Sequence, residues 1–210
     1  MASTVSVSRL ALIGLGAFGR STVESLHTLF PGSVPHRPDA VEDAFHAGAD
    51  AVVLASWRPA PAVHERADEL AHRTGTPWLP VTIEQPVLRV GPLVVPGDGP
   101  CFRCYRDRRI QHDANRSVTR AVEDAYDRDG SCGPAGFLPQ HRRIAAGAAA
   151  MLLGGHRSPG RLLTFSLLSL VMRTDHVVAC HGCGRCRPRT PPHALGELVA
   201  AAGREVAGVR

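Results

Sequence analysis

Lysine is absent: all 24 basic residues of this 210-residue chain are arginine. A lysine Schiff base, a Walker-type phosphate-binding lysine and a lysine general base are therefore excluded. Aromatic residues are scarce, at 5% of the chain. That leaves few stacking platforms for single-stranded nucleic acid, so the net charge of +5 points to acidic partners other than nucleic acid. No apolar run approaches the roughly 18 residues that suggest a membrane span. The amino terminus, MASTVSVSRLALIG, shows no charged n-region and no small-residue cleavage site. Neither membrane insertion nor secretion is expected, and the expected location is the cytoplasm. The cysteines do not form a disulfide framework either. Of the six, five fall into two tight groups, Cys101 with Cys104 and Cys180 with Cys183 and Cys186, a spacing that reads as a metal site. What remains is 44% hydrophobic residues over a single-domain length, enough to bury a core.

The chain opens on an apolar run, Val7 to Ile13, followed by Gly14-Leu15-Gly16-Ala17-Phe18-Gly19 and an amphipathic stretch from Arg20 to Phe30. This is strand, glycine turn and helix, the context of a dinucleotide fingerprint. The first glycine permits the turn, the second lets backbone approach a phosphate, and the third lets helix and strand pack closely. The acidic residue expected about 20 positions further on falls at Asp39. The approach to it, Pro31 to Pro38, carries three prolines and cannot form a central strand, so the second strand is expected to be stunted or missing. Further on, the pattern predicts a short helix over 39–47 capped by Asp39, a buried strand over 49–55, and a helix over 61–73 stopped by Gly75. Two extended runs, 78–83 and 87–95, lead to the Pro96-Gly97-Asp98-Gly99 turn. Residues 105–140 read as a polar surface excursion with one helix over 117–126. An alanine-rich helix over 144–153, one or two strands within 162–178, and a Pro-rich tail over 188–210 with a short helix over 194–207 complete the prediction.

Cys101-Phe-Arg-Cys104 and Cys183-Gly-Arg-Cys186 are two C-x-x-C knuckles that the fold must bring together. Four thiolates satisfy tetrahedral zinc with no open position, the signature of a structural site. Cys180-His-Gly-Cys183 offers a competing register. The pair 183 and 186 is favoured, with Cys180 and His181 beside it. Cys132 reads as an ordinary thiol. Between 103 and 120 stand six arginines (103, 106, 108, 109, 116 and 120) against Asp107 and Asp113. The plain reading is a salt-bridged surface loop. The functional one is a docking strip for an acidic peptide or partner, centred on Arg103, Arg106, Arg108 and Arg109, because the arginine fork matches carboxylates bidentately.

Taken together, the glycine turn, the run Val90-Gly91-Pro92-Leu93-Val94-Val95-Pro96-Gly97 ahead of Cys101-x-x-Cys104, and the late Cys183-x-x-Cys186 resemble the ThiF/MoeB group of adenylating enzymes related to ubiquitin activators. More narrowly, they resemble the ocin-ThiF-like proteins of thiazole- and oxazole-modified peptide biosynthesis, which work with YcaO-type cyclodehydratases. The resemblance spans residues 5 to about 187 and is strongest over 78–104. It implies an α/β, Rossmann-like three-layer fold with a shortened nucleotide half and a four-cysteine zinc site, occupying residues 1–187 ahead of the 188–210 tail. It also implies the cyclodehydratase and a precursor peptide as partners, and a homodimer or heteromer. The chain departs from the adenylating pattern in its stunted second strand and its lack of lysine. Gly14, Gly16 and Gly19 are then a vestigial cofactor turn, and no ATP is expected to bind. The winged-helix leader-binding module that often precedes this fold is expected to be absent. The leading expectation is a non-catalytic, zinc-stabilised subunit that scaffolds or activates a cyclodehydratase in antibiotic-type peptide biosynthesis, with no catalytic residues of its own. The alternative is an ATP-dependent enzyme that adenylates the C-terminus of a small carrier protein or peptide, with Cys132 or Cys180 as its thiol. A nicotinamide oxidoreductase and a zinc-ribbon nucleic-acid binder are weaker readings, since no catalytic His or Tyr constellation supports the first and few aromatics support the second.

Overall fold

The computed structural model describes residues 9–154 and 158–186. The expected tail helix and the 188–210 segment lie outside the described residues. The elements run β1 (Leu10–Leu15), α1 (Gly16–Leu29), β2 (Val34–His36), α2 (Val41–His46), β3 (Ala51–Ser56), α3 (Pro61–Thr74), β4 (Trp78–Glu84), β5 (Val87–Val90), α4 (Phe102–Gln111), α5 (Arg116–Arg128), α6 (Pro139–Gly154), β6 (Arg161–Ser166) and β7 (Met172–His176). They build one seven-stranded sheet in the order β2-β1-β3-β4-β5-β6-β7. The β2, β1, β3 and β4 strands are mutually parallel, and the remaining pairings are antiparallel.

Sequence pattern explains the central strands directly. The β3 residues are buried throughout, as are all but the last of β1, as expected of parallel strands covered on both faces. One face packs under α1 and α6, whose Phe18, Val23, Leu26, Ala145, Ala149 and Leu153 meet alternate residues of the sheet. The other packs under α2, α3 and α4 through Phe45, Leu70, Phe102 and Tyr105. The result is a three-layer α/β fold. The α3 helix starts with Pro61 in its first turn and ends at Gly75 with φ +74°, a left-handed position that glycine occupies without steric cost.

Several expectations are corrected. The second strand exists, but as a three-residue edge strand with Pro35 at its centre, paired in parallel with β1. An edge position tolerates the missing proline donor where a central one would not. Asp39 caps nothing: α2 begins after Ala40 without a side-chain cap, and Asp39 instead pairs with Arg37 at 2.9 Å. The polar excursion holds two helices rather than one, and the first of these, α4, starts immediately after Cys101. Its buried side chains, Phe102, Cys104 and Tyr105, are confined to one end, so hydrophobic periodicity gives little sign of it.

Candidate functional site

The structure assembles the four sulfurs of Cys101, Cys104, Cys183 and Cys186 within 4.8 Å of one another. Cys101 lies 3.7 Å from Cys104 and from Cys183, and Cys104 lies 3.5 Å from Cys186. Tetrahedral zinc with Zn–S bonds of about 2.3 Å requires sulfurs about 3.8 Å apart, so the set fits a zinc ion with every position filled by protein. Cys180 stands beside this group. Its N–H donates to the Cys104 sulfur at 3.1 Å and its thiol donates to the Cys104 carbonyl at 3.7 Å. Cys132 lies in the α5–α6 connection and is not among the assembled sulfurs.

The thiols differ in how readily they ionise. Burial pushes Cys101 strongly up, and burial also raises Cys186, to about 11. For Cys183, burial is outweighed by the backbone N–H groups of Cys186 and Arg185, which bring it down to about 7. Cys183 is therefore the first of these three to present a thiolate, and binding of a cation at the cluster would release protons from the others.

The two knuckles meet on one buried carboxylate. Asp68, on α3, is fully buried. Its Oδ1 accepts the Phe102 backbone N–H at 3.0 Å and the Trp78 indole N–H at 3.3 Å, and its Oδ2 accepts Arg185 at 2.8 Å. Phe102 follows the first ligand of the first knuckle, and Arg185 sits inside the second. Arg185 also reaches Glu65 at 2.8 Å. Asp68 thus holds both halves of the cluster in register. Sequence reasoning passed over it, because an aspartate amid the polar residues of a helix carries no distinguishing signal.

The arginines expected to form a docking strip are carried on a helix and largely turn inward. Arg106 pairs with Glu123 at 3.3 Å, and Arg109 pairs with Glu84 at 2.8 Å. Burial raises the Glu123 carboxyl against the pull of these arginines. Arg108 donates to the Val178 and Ala179 carbonyls at 2.6 and 3.2 Å, tying α4 to the segment that leads into the second knuckle. Arg103 remains outermost, 3.9 Å from Asp107.

At the glycine turn, Gly14 and Gly19 are packed against backbone. A Cβ on Gly14 would lie 2.7 Å from the Arg20 nitrogen, and one on Gly19 would lie 2.3 Å from the Ala55 carbonyl oxygen. Gly16, at φ +68°, is different: a Cβ there would meet the Trp57 indole at 2.2 Å. The face of the second glycine that a phosphate would approach is covered by an aromatic ring. Arg58, the next residue, is buried and lies over the Trp57 and Tyr126 rings at 5.2 and 4.5 Å. It donates to the carbonyls of Pro59, Tyr126 and Asp129 at 2.9 to 3.1 Å. The cleft beside the turn, about 410 Å³, is lined by Gly16, Phe18, Trp57, Ile83, Ala135 and Phe137 among others, with no charged side chain. A second cleft of about 340 Å³ beyond Trp57 is lined by Pro38 rather than Asp39. Trp57 and Arg58 were not singled out from sequence. The parallel register that sets Ser56 beside Leu15 places them level with the glycine turn.

With this geometry in hand, comparison with known proteins is informative about the fold. No protein-family profile matches the sequence, and no curated protein matches it. Solved structures match its fold. One is a heterocyclase in complex with substrate and cofactor, at a TM-score of 0.62 and 18% identity over 86% of this chain and 25% of that one. Another is the heterocyclase TruD, at 0.60 and 18% over 91% of this chain and 32% of that one. A third is the E. coli microcin synthetase McbBCD complex, at 0.66 and 10% over 86% of this chain and 69% of that one. The fold is ThiF-like. The chain spans a quarter to a third of the length of the two heterocyclase chains. No helix among the described residues is long and apolar enough to cross a membrane.

Proposed function

We propose that this chain is a non-catalytic, zinc-stabilised ThiF-like subunit that scaffolds or activates a YcaO-type cyclodehydratase forming azoline or azole rings on a ribosomal precursor peptide. The observation that carries the reading is the contrast between a fitted four-cysteine cluster and a glycine turn whose second glycine lies under Trp57. Adenylyl transfer depends on positioning a triphosphate and neutralising its charge. Here Arg58, which lines the cleft beyond Trp57, is held by three backbone carbonyls. The cleft alongside is apolar and suits an uncharged group. Structural neighbours described as heterocyclases and a microcin synthetase complex support a place in peptide heterocycle formation. In this reading, zinc is the metal of the cluster and its role is to hold the fold. The partner supplies the ATP-dependent step, and Arg103, the outermost of the four arginines on α4, meets acidic groups of the peptide or partner.

The test is calorimetric titration of the zinc-replete chain with ATP and magnesium, repeated with a candidate cyclodehydratase. The expected result is no heat from nucleotide alone, heat on adding the cyclodehydratase, and ring formation on a precursor peptide that requires both proteins. Micromolar ATP binding by the chain alone, followed by carboxylate-dependent pyrophosphate exchange, would replace this reading with the adenylating one.

A further inference from the structure

Five thiols, not four, stand at the metal cluster. Cys180 is half-buried beside it. Its backbone N–H reaches the Cys104 sulfur at 3.1 Å, the same sulfur that Cys186 approaches to 3.5 Å. Cys180 and Cys186 therefore flank one ligand. The contacts of Cys180 do not call for sulfur. The bond to Cys104 comes from the backbone, which any residue but proline supplies. Its own thiol, a weak donor, reaches only the Cys104 carbonyl, at 3.7 Å.

The chain carries two overlapping registers for the second knuckle, Cys180-His181-Gly182-Cys183 and Cys183-Gly184-Arg185-Cys186, with Cys183 common to both. The structure assembles the second. The first is already folded into a turn, in which the Cys183 N–H donates to the Cys180 carbonyl at 3.2 Å. Such a turn holds its end Cα atoms within about 7 Å, so two cysteines spaced this way can share one ion. Among the described residues, no atom lies within 4 Å of where a Cβ would stand on Gly182, which leaves the turn room to shift. The approach to Cys180 is anchored independently of Cys186. Arg108, on the helix that carries Cys104, donates to the Val178 and Ala179 carbonyls just ahead of it.

We infer that Cys180 is a reserve ligand of the cluster, replacing Cys186 on the metal while Cys101, Cys104 and Cys183 stay bound. In the exchange one metal–sulfur bond to Cys186 breaks, one to Cys180 forms, and the Cys180 proton passes to the departing Cys186 sulfur. Ligand number, ligand type and charge are unchanged, so four-thiolate zinc is satisfied in both states. Cys186 is the ligand that can leave. Cys101 and Cys104 are fully buried and Cys183 serves both registers, whereas Cys186 is half-buried and belongs to one register alone. The site thereby keeps its metal when Cys186 is alkylated, oxidised or drawn away. The inference rests on the proposal that the cluster binds zinc and is independent of the cyclodehydratase role.

Cobalt(II), whose charge-transfer absorption reports the number of thiolate ligands, tests it on the full chain, with zinc affinity measured against a chromogenic chelator. C186S is expected to bind one metal with the wild-type four-thiolate spectrum and to lose at most about tenfold in affinity. C180S/C186S, with no reserve, should give a three-thiolate spectrum and lose more than about a hundredfold, beyond the cost of removing an outer-shell partner. A three-thiolate spectrum in C186S, including one completed by the His181 imidazole, overturns the inference. Wild-type protein gives a second reading that needs no variant to fold. Zinc-loaded chains treated with iodoacetamide should carry a label on either Cys180 or Cys186, never both, and retain their zinc, as mapped by mass spectrometry and metal analysis. Labelling confined to Cys180, or loss of zinc from chains labelled at Cys186, overturns it as well. A wild-type chain that takes up neither cobalt nor zinc would end the zinc proposal and this inference together. An intact wild-type site with any of the other failures removes this inference alone.

Discussion

The glycine turn after β1 and the cysteine cluster beside α4 start from equally short sequence signals, but their surroundings have diverged. Around the cysteines, unrelated parts of the chain converge to support the motif. Asp68 bridges both knuckles, Arg108 ties α4 to the approach to the second, and the Cys180 N–H reaches the Cys104 sulfur. Around the glycines, neighbouring residues close the motif off, with Trp57 over Gly16 and Arg58 engaged by carbonyls. A binding motif is only as functional as the space and charge left around it. The same backbone turn that can cradle a phosphate here seats an indole.

The largest effect should come from breaking the cluster itself. A structural zinc site contributes on the order of 10 kcal/mol or more of apparent binding energy. Cys101→Ser, or treatment with a strong chelator, should therefore abolish cooperative thermal unfolding and release one zinc per chain, measured by calorimetry with metal analysis. A chain that melts unchanged after complete metal removal would show that the cysteines are not its support.

Next in size is Asp68→Ala. This leaves Arg185 only its more exposed partners Glu65 and Glu69 and strands the buried Phe102 and Trp78 N–H groups, at a cost of about 3–5 kcal/mol. Chemical denaturation should show the loss. Zinc should also exchange faster from the variant in a chromogenic chelator assay, which a purely packing role for Asp68 would not produce.

On the other side of the comparison, Gly16→Ala adds a Cβ at a positive φ and drives it into Trp57, for about 3 kcal/mol in all. A double-mutant cycle with Trp57→Ala should recover the clash but not the backbone strain. Strictly additive losses would mean that the ring does not sit on the glycine.

The smallest effect is a pH dependence on the cysteine side. His64 lies buried between Trp78 and Phe102, with ring centroids at 6.2 and 5.2 Å, and its Nε2 has no hydrogen-bond partner among the described residues. Burial, aided by nearby Arg106, lowers its pKa to about 4. The unfolded chain takes up this proton near 6.5 and the folded chain does not until about 4, so stability falls as pH drops through that window and is unaffected by His64 above it. Between pH 7 and 5 the loss should be about 2 kcal/mol. His64→Phe should flatten this part of the stability curve, as followed by urea denaturation at several pH values.

What was legible in the sequence was local. A handful of consecutive residues specifies the glycine turn and each knuckle. The buried runs of β1 and β3 and the Pro61-to-Gly75 frame of α3 also declare themselves, because strand burial and helix termination are set by near neighbours. The α4 helix was missed, since its helical form serves arginines whose partners, Glu84 and Glu123, lie elsewhere in the chain. Asp39, expected as the cap of the following helix, instead pairs with its near neighbour Arg37, and α2 starts one residue later without a side-chain cap.

The sequence alone therefore determined the order of most strands and helices, the phosphate-type turn and the presence of two C-x-x-C knuckles, all of which depend on short-range stereochemistry. The tertiary structure alone decided that four particular cysteines meet over Asp68, that the arginine strip is largely bound internally, and that Trp57 rests on Gly16. Those outcomes depend on which side chains the parallel and antiparallel registers set side by side, and a linear spacing does not encode that distance.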